Sequence, residues 1–317
     1  MKAGNDIQHA AALLKNGKVV AIPTETVYGL AANAFNAEAV ITIFEIKNRP
    51  KFNPLIVHVA SWQMVEKITA SIDPLLKQIA EKFWPGPLTI LFPKSDAIHP
   101  IITAGSAYVA VRMPNHPLTI QLLKELDFPL AAPSANLFGK ISPTTTAHVL
   151  EQLGDQIDYV LDGGECSVGV ESTIIKMNMY EKVEILRPGG VSAEEIAEIT
   201  GYLPKTVSGS DSPEAPGMLN SHYAPKIPLV IGNIEELVNR YANKKIAVLA
   251  FYQKIDHPSV IKYYQLSPKK ELHQAAHNLF SLMHEAENSG VDLIIAELLP
   301  EEGIGRAIND RLKRASF

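Results

Sequence analysis

Residues 16–30 read Asn16-Gly17-Lys18-Val19-Val20-Ala21-Ile22-Pro23-Thr24-Glu25-Thr26-Val27-Tyr28-Gly29-Leu30, a helix stop, a strand and a polar turn in succession. Gly17 closes an amphipathic helix over Ile7 to Lys15, because glycine takes the left-handed conformation of a helix C-terminus without strain. Val19 to Ile22 is a short unbroken apolar run and predicts a strand. From Pro23 onward come two threonines, a glutamate and a tyrosine, where the strand leaves its sheet. Open α/β sheets bind ligands at such strand ends. On these residues alone, an edge strand closed by a glycine turn is the simpler account.

The alternation continues outward from this segment. Leu55 to Val59, Leu88 to Phe92, Tyr108 to Arg112, Tyr159 to Leu161, Ser172 to Ile175 and Val183 to Leu186 read as strands bounded by Pro, Gly or polar residues. Helical patterns fall at about 37–48, 61–70, 74–83, 117–126 and 145–153, and Ser192 with Glu195 forms a capping box for another helix. Several strands follow one another with only short turns, so the fold class is α/β with a twisted mixed sheet. From Leu203 to Pro228 the chain turns Ser-, Pro- and Gly-rich, including Lys205 to Pro213 and Pro216-Gly217. Strands at 229–231, 246–251 and 293–296 then alternate with helices at 234–242, 268–288 and from about 304, a smaller Rossmann-like α/β domain. The expected division is a first domain over 1–204, a linker over 205–227 and a second domain over 228–317.

A chain of 317 residues exceeds what one core usually supports. With 46% hydrophobic and 20% charged residues it is an ordinary globular sequence. A net charge of -5 argues against nucleic-acid binding by bulk electrostatics. The single cysteine, Cys166, rules out an internal disulfide framework and suits a reducing compartment. The N-terminus has no signal-type apolar stretch, and runs such as Ile246 to Phe251 are far shorter than the ~20 residues of a membrane span. A cytoplasmic protein without a membrane contact is the expectation.

Three further segments carry chemistry. Lys47-Asn48-Arg49-Pro50-Lys51-Phe52-Asn53-Pro54 gathers three cations at a helix end. Such cations complement the helix dipole without any ligand, yet the prolines stiffen the loop into a form that suits a phosphate clamp. Ala131-Ala132-Pro133-Ser134-Ala135-Asn136 and Ser142-Pro143-Thr144-Thr145-Thr146 combine small residues with hydroxyls and an amide, although Thr144 or Thr145 also serves as a helix cap. Asp162-Gly163-Gly164, Gly169-Val170-Glu171-Ser172-Thr173 and Leu186-Arg187-Pro188-Gly189-Gly190 each set glycines beside a charged residue just past a strand. There is no P-loop, dinucleotide fingerprint, nucleophile elbow or zinc helix. His273, His277 and His284 share a helix face that reads as solvated rather than metal-binding, and Cys166 has no evident base.

The order of these segments, with Trp84-Pro85-Gly86-Pro87-Leu88-Thr89 and Val111-Arg112-Met113-Pro114, closely resembles the YrdC-like family of L-threonylcarbamoyladenylate synthases. His222-Tyr223-Ala224-Pro225 and the run Ser212-Pro213, Pro216-Gly217-Met218 resemble its long, two-domain branch. The resemblance implies a nucleotidyltransferase that joins ATP, L-threonine and bicarbonate into L-threonylcarbamoyl-AMP, releasing pyrophosphate, the first step toward the tRNA modification t6A. It implies Lys47 and Arg49 as the catalytic pair. Arg49, Asn53, Tyr108, Ser134, Asn136, Ser142, Arg187 and Tyr223 would bind ATP with its Mg²⁺, and Tyr223 would act as a lid. Thr26, His58, Arg112 and Ser172 would bind threonine, with Arg112 on its carboxylate. On its residues alone His58, within an apolar strand, is a core histidine. Hand-over to a tRNA threonylcarbamoyl transferase complex and a tRNA contact are also implied. In Gly303 to Leu312, Asp310 separates Asn309 from Arg311 where the family pattern has them adjacent, so these residues take no assigned role. The alternative class is a non-catalytic RNA-binding or ribosome-assembly factor using Lys47, Arg49, Lys51, Arg112 and Arg187, which the acidic net charge disfavours.

Overall fold

The computed structural model describes residues 2–50, 52–207, 215–217 and 222–316. Lys51, the Ser208 to Pro213 part of the linker and Met218 lie outside the described residues.

Val19 to Ile22 is apolar throughout because both of its faces are covered. Val20 and Ile22 pack with Ala10, Leu14 and Leu122 from the helices Ile7–Lys15 and Pro117–Lys124. Val19 and Ala21 face the other way, toward Ile43 and Val149 of the helices Ala37–Lys47 and Thr146–Leu153. A strand buried on both faces loses the polar alternation of a half-exposed one. This strand, Val20–Ile22, lies inside an 11-stranded sheet among the described residues. Its neighbours are Tyr159–Leu161, parallel, and Gly29–Asn33, antiparallel. The polar turn from Pro23 is therefore a connection between two interior strands, not the edge strand that its residues alone suggest. The sheet mixes parallel and antiparallel pairs throughout, as the short strand connections require.

The other half of the sheet holds Ile56–His58, Tyr108–Arg112, Leu88–Pro93, Thr173–Met177 and Val183–Arg187. One face packs on helices Trp62–Ile68, Pro74–Phe83 and Ala193–Thr200 through Val65, Ile79, Ile196, Val57, Ile90 and Val111. The opposite face carries Ile56, Leu91, Ala110 and Ile174, and Ala215 from beyond the first domain lies fully buried on them. Side chains alternate along a strand. His58 therefore shares this second face with Ile56, Thr89 with Leu91, Arg112 with Ala110 and Ser172 with Ile174. In the sheet His58 pairs with Arg112, and Arg112 with Thr89. Four polar side chains thus end up together on one face of the sheet, all of them buried.

The second sheet is parallel, in the order Leu229–Ile231, Leu293–Ala296, Ile246–Ala250 and Val260–Gln265. The last strand escapes a reading of the sequence because it is an edge, only half buried, with lysine and two tyrosines in it. The long helix runs Leu272–Glu287 and the final helix Gly305–Ala315. Ser267-Pro268 belongs to the turn before the long helix, where Ser267 Oγ accepts the Glu271 N–H at 2.8 Å. Gly169 presses against this helix: a Cβ there would stand 2.5 Å from the Ala276 and His277 backbone.

The turn after Val183–Arg187 is equally tight. A Cβ on Gly189 would meet the Glu171 carbonyl oxygen and the Ser172–Thr173 peptide at 2.3 Å. Gly189→Ala is expected to lower unfolding free energy by about 1–3 kcal/mol, the usual cost of overpacking against backbone. Denaturant titration measures it, and wild-type stability would mean that the turn can lift off Glu171 freely.

Candidate active site

The donor-to-acceptor order of the hydrogen bonds can be read through the polar turn. Arg112 can only donate, so its Nη1 gives a hydrogen bond to Thr26 Oγ1 at 2.9 Å. Thr26 Oγ1 then donates to Thr24 Oγ1 at 2.8 Å, whose own proton goes to the Val27 carbonyl at 2.6 Å. Thr24 Oγ1 also accepts the N–H groups of Thr26 and Val27, so the turn is wound around one hydroxyl. Arg112 Nε donates to Gly86 O at 3.3 Å, and its Nη2 stands 2.7 Å from Glu25 Oε1. Glu25 Oε2 accepts the Asn115 N–H at 3.0 Å. Beside Arg112, His58 is buried with its Nδ1 unpartnered. Burial, and secondly the Arg112 charge, lower its pKa from 6.5 to about 3, so the ring is neutral.

Across the cleft, cations donate to backbone carbonyls. Lys47, at the end of its helix, gives hydrogen bonds to Ser134 O at 2.6 Å and to Asn136 O. Asn48 caps that helix in the left-handed region, φ 51, and turns the chain so that Arg49 folds back on its own loop. Arg49 donates through Nη2 to Pro54 O at 2.9 Å and through Nε to Asn53 O at 3.4 Å. Arg187 donates through Nη2 to Ser172 O at 2.9 Å and Ser172 Oγ at 3.1 Å, and through Nη1 to Pro216 O at 3.2 Å. Burial pulls all three below their ordinary pKa values, and the Arg49 charge adds to the effect on Lys47. Buried cations with only neutral oxygens as hydrogen-bond partners favour an anion.

The two clusters meet at Glu171. Its Oε1 accepts Ser142 Oγ at 2.7 Å and its Oε2 accepts Arg311 Nε at 2.9 Å. Burial alone would raise this carboxyl, but Arg311, Arg187 and Ser142 hold it at about 2. Arg311 belongs to the last helix, is fully buried, and also donates to Pro188 O at 2.8 Å. Its guanidinium lies 5.4 Å from the centre of the Tyr223 ring. Tyr223 is buried between Arg311, His222 and Phe280 of the long helix, and burial raises its hydroxyl to about 12.

One cleft is lined by Thr26, Arg49, His58, Arg112, Ser134, Ser172, Arg187 and Tyr223, all named from sequence. Lys47, Asn136 and Ser142 stand directly behind it through the hydrogen bonds above. Asn53 is buried in the Arg49 loop with both side-chain polar atoms unpartnered. Tyr108 is placed elsewhere: it opens its strand at the end remote from Arg112, is 40% exposed, and lines a surface depression with Met177 and Met179. Sequence reasoning passed over Thr24, Glu171, His222 and Pro216 as lining residues. The position of Glu171 between glycines and a strand was the one available signal. The histidine face of the long helix is also not solvated: His284 stacks on His148 with ring centres 4.1 Å apart, and His277 bonds to Cys166 O. Only His273 of the three is exposed.

A mixed α/β sheet with a cationic cleft on its open face, closed from behind by a second α/β domain, defines the class. The Sua5/YciO/YrdC family model, described as "Telomere recombination", matches residues 12–189, and the model "Threonylcarbamoyl-AMP synthase, C-terminal domain" matches residues 191–316. The chain belongs to this family in its two-domain form. It is 41% identical to the threonylcarbamoyl-AMP synthase of Pyrococcus abyssi, over 98% of this chain and 94% of that protein. The Bacillus subtilis threonylcarbamoyl-AMP synthase is also 41% identical, over 98% and 92%. Among solved structures, P. abyssi Sua5 complexed with L-threonine superposes with a TM-score of 0.92 at 39% identity, over 98% of this chain and 94% of that one. No helix of the described residues is long and apolar enough to cross a membrane.

His58 and His222 both stay neutral down to about 3. In the unfolded chain each takes a proton below about 6.5. Between those values the unfolded state binds more protons, so stability is full above pH ~6.5 and falls as the pH drops toward ~3. Denaturation of His222→Asn across this range is expected to show a shallower loss than wild type. An unchanged slope would mean that His222 is protonated inside the fold.

Proposed function

We propose that this chain makes L-threonylcarbamoyl-AMP from ATP, L-threonine and bicarbonate, with release of pyrophosphate. The observation that carries this reading is the pairing, in one buried cleft, of a cationic side with an arginine–histidine–hydroxyl side whose donors suit an amino-acid carboxylate. In the first step the threonine amine takes up bicarbonate, giving a carbamate and water. In the second a carbamate oxygen attacks the α-phosphorus of ATP, the bond to the β-phosphate oxygen breaks, and pyrophosphate leaves with the electron pair.

Arg112, Thr26, His58 and Ser172 hold threonine, with the Arg112 guanidinium on its carboxylate. Arg49 and Lys47 act on the phosphates, stabilising the charge that builds as pyrophosphate departs. Arg187, Ser134, Asn136, Ser142 and Asn53 complete the ATP site, and Tyr108, at its remote position, contributes only if the adenine extends along the strand toward it. No covalent enzyme intermediate is needed, so catalysis comes from orientation and charge. Mg²⁺ arrives with ATP on the phosphate oxygens.

Residues 1–204 form the catalytic domain in this reading, 205–227 the lid and 228–317 the supporting domain. Pro216, Gly217 and Tyr223 line the cleft and leave about 40 Å³ free inside it, room for no more than a few waters. ATP entry therefore requires this segment to lift, and its return excludes water from a labile anhydride. That lability also calls for hand-over of the product to a tRNA threonylcarbamoyl transferase complex, with contact to tRNA, in the cytoplasm.

Pyrophosphate release from ATP is expected to need both threonine and bicarbonate, each omitted in turn. Release that ignores threonine would overturn the assignment. Arg49→Ala is expected to reduce turnover by about 10²-fold or more, the scale for losing one charge-stabilising group.

A further inference from the structure

Three arginines line the cleft, Arg49, Arg112 and Arg187. A triphosphate carries enough charge to be drawn to any of them, and a polyanion seated on Arg112 would block the amino-acid side. Among the described residues, only Arg112 of the three has an ion-paired carboxylate of its own. Glu25 Oε1 lies 2.7 Å from Arg112 Nη2, and both side chains are almost wholly buried. Glu25 is also fixed from behind: its Oε2 accepts the Asn115 N–H at 3.0 Å, and its carbonyl accepts the Val168 N–H at 2.7 Å. The carboxylate does not line the cleft, so it acts through Arg112 rather than on a ligand.

The charges therefore divide the cleft in two. On one side Arg112 and Glu25 cancel, and Glu171 is likewise matched by Arg311. On the other side Lys47, Arg49 and Arg187 have carbonyl or hydroxyl oxygens as their hydrogen-bond acceptors and keep a positive field. A polyanion is repelled by Glu25 wherever it approaches Arg112 closely. An amino acid is not, because it brings an ammonium group with its carboxylate and needs only a few oriented N–H donors from Arg112.

We infer that Glu25 is a positioning and specificity-determining residue that reserves Arg112 for an amino-acid carboxylate and confines phosphates to the Lys47–Arg49–Arg187 side. This rests on the reaction proposed above. It makes Glu25 part of substrate sorting, where its bland reading is a buried counter-ion that only keeps the turn folded.

The test is calorimetric titration of L-threonine and of inorganic pyrophosphate, without ATP, into the full chain and two Glu25 variants. Wild type is expected to bind the two ligands independently. Glu25→Gln is expected to weaken threonine about tenfold, the order of one mispositioned charge-assisted hydrogen bond, and to let pyrophosphate compete with threonine. Glu25→Asp, which keeps the charge, is expected to restore independence even where threonine affinity stays reduced. A purely structural role would not create the competition. Unchanged threonine affinity together with continued independence in Glu25→Gln overturns the inference. Arg112→Gln provides a check that needs no change at Glu25: pyrophosphate affinity is expected to stay within about twofold of wild type, and a larger loss means that phosphate does use Arg112. If wild-type protein binds no threonine at all, the proposed reaction fails instead, an outcome distinct from these.

Discussion

Arg311 reaches from the last helix into the first domain with no exposed surface, and its charge is tolerable there because Glu171 faces it at 2.9 Å. A buried ion pair is a poor source of net stability, since removing two ions from water costs about what their attraction returns. Its value is conditional. With either partner gone the other becomes an unpaired buried charge, and that costs about 3–5 kcal/mol. The pair therefore ties the two domains together in one register rather than making either more stable. Asp310 extends the tie, accepting from Arg311 at 2.8 Å and from Arg314 at 2.9 Å. The residue that interrupts the expected Asn-Arg adjacency is thus a second carboxylate for the same guanidinium, while Asn309 bonds both backbone groups of Leu299.

From that tie the geometry of the cleft follows. Glu171 is held on Arg311, and it in turn orients Ser142. Were Glu171 free, the nearest cation would be Arg187, and a carboxylate bound there would cancel the field that an anionic substrate needs. Arg187 instead donates to Ser172 and to the Pro216 carbonyl, which are weaker partners than a phosphate. Lys47 and Arg49 are arranged in the same way on carbonyl oxygens. Desolvation has already been borne by the fold, so an arriving anion meets fixed donors with little reorganisation to pay for. Burial lowers the pKa values of Lys47 and Arg49, so an anion beside them stabilises their charged forms.

Much of this was legible in sequence where the signal is local. Helix Pro74–Phe83 begins at an Asp73 cap with proline in its first turn, and Ser192 with Glu195 makes the capping box its spacing predicts. Thr26, Arg49, His58, Arg112, Ser134, Ser172, Arg187 and Tyr223 share one cleft, as the order of their motifs implied. What escaped was set by distant packing. The turn at Pro23 looked like an edge because nothing in its residues reports that Tyr159–Leu161 and Leu130–Ala131 flank its strands. The distance of Tyr108 from the cleft is set by the length of its strand, which the order of the motifs does not report. For Arg311 a signal did exist. Ala307, Arg311 and Ala315 recur at helical spacing on the buried side of the last helix, and an arginine within an apolar stripe asks for a carboxylate.

The second domain is not an appendage in this arrangement. Its long helix supports the loop before Glu171 through the close approach at Gly169 and the His277 bond to Cys166 O. The same helix supplies Phe280 behind Tyr223, and His284 Nε2 donates to the Ser142 carbonyl at 3.3 Å. Tyr223 lines the cleft, and Ser142 and the loop before Glu171 stand behind it, so all three lean on one element outside the first domain. A single-domain cleft would have to build that support from its own loops. Here the long helix of the second domain carries it, while at 215–217 Ala215 packs on the first sheet and the Pro216 carbonyl accepts from Arg187.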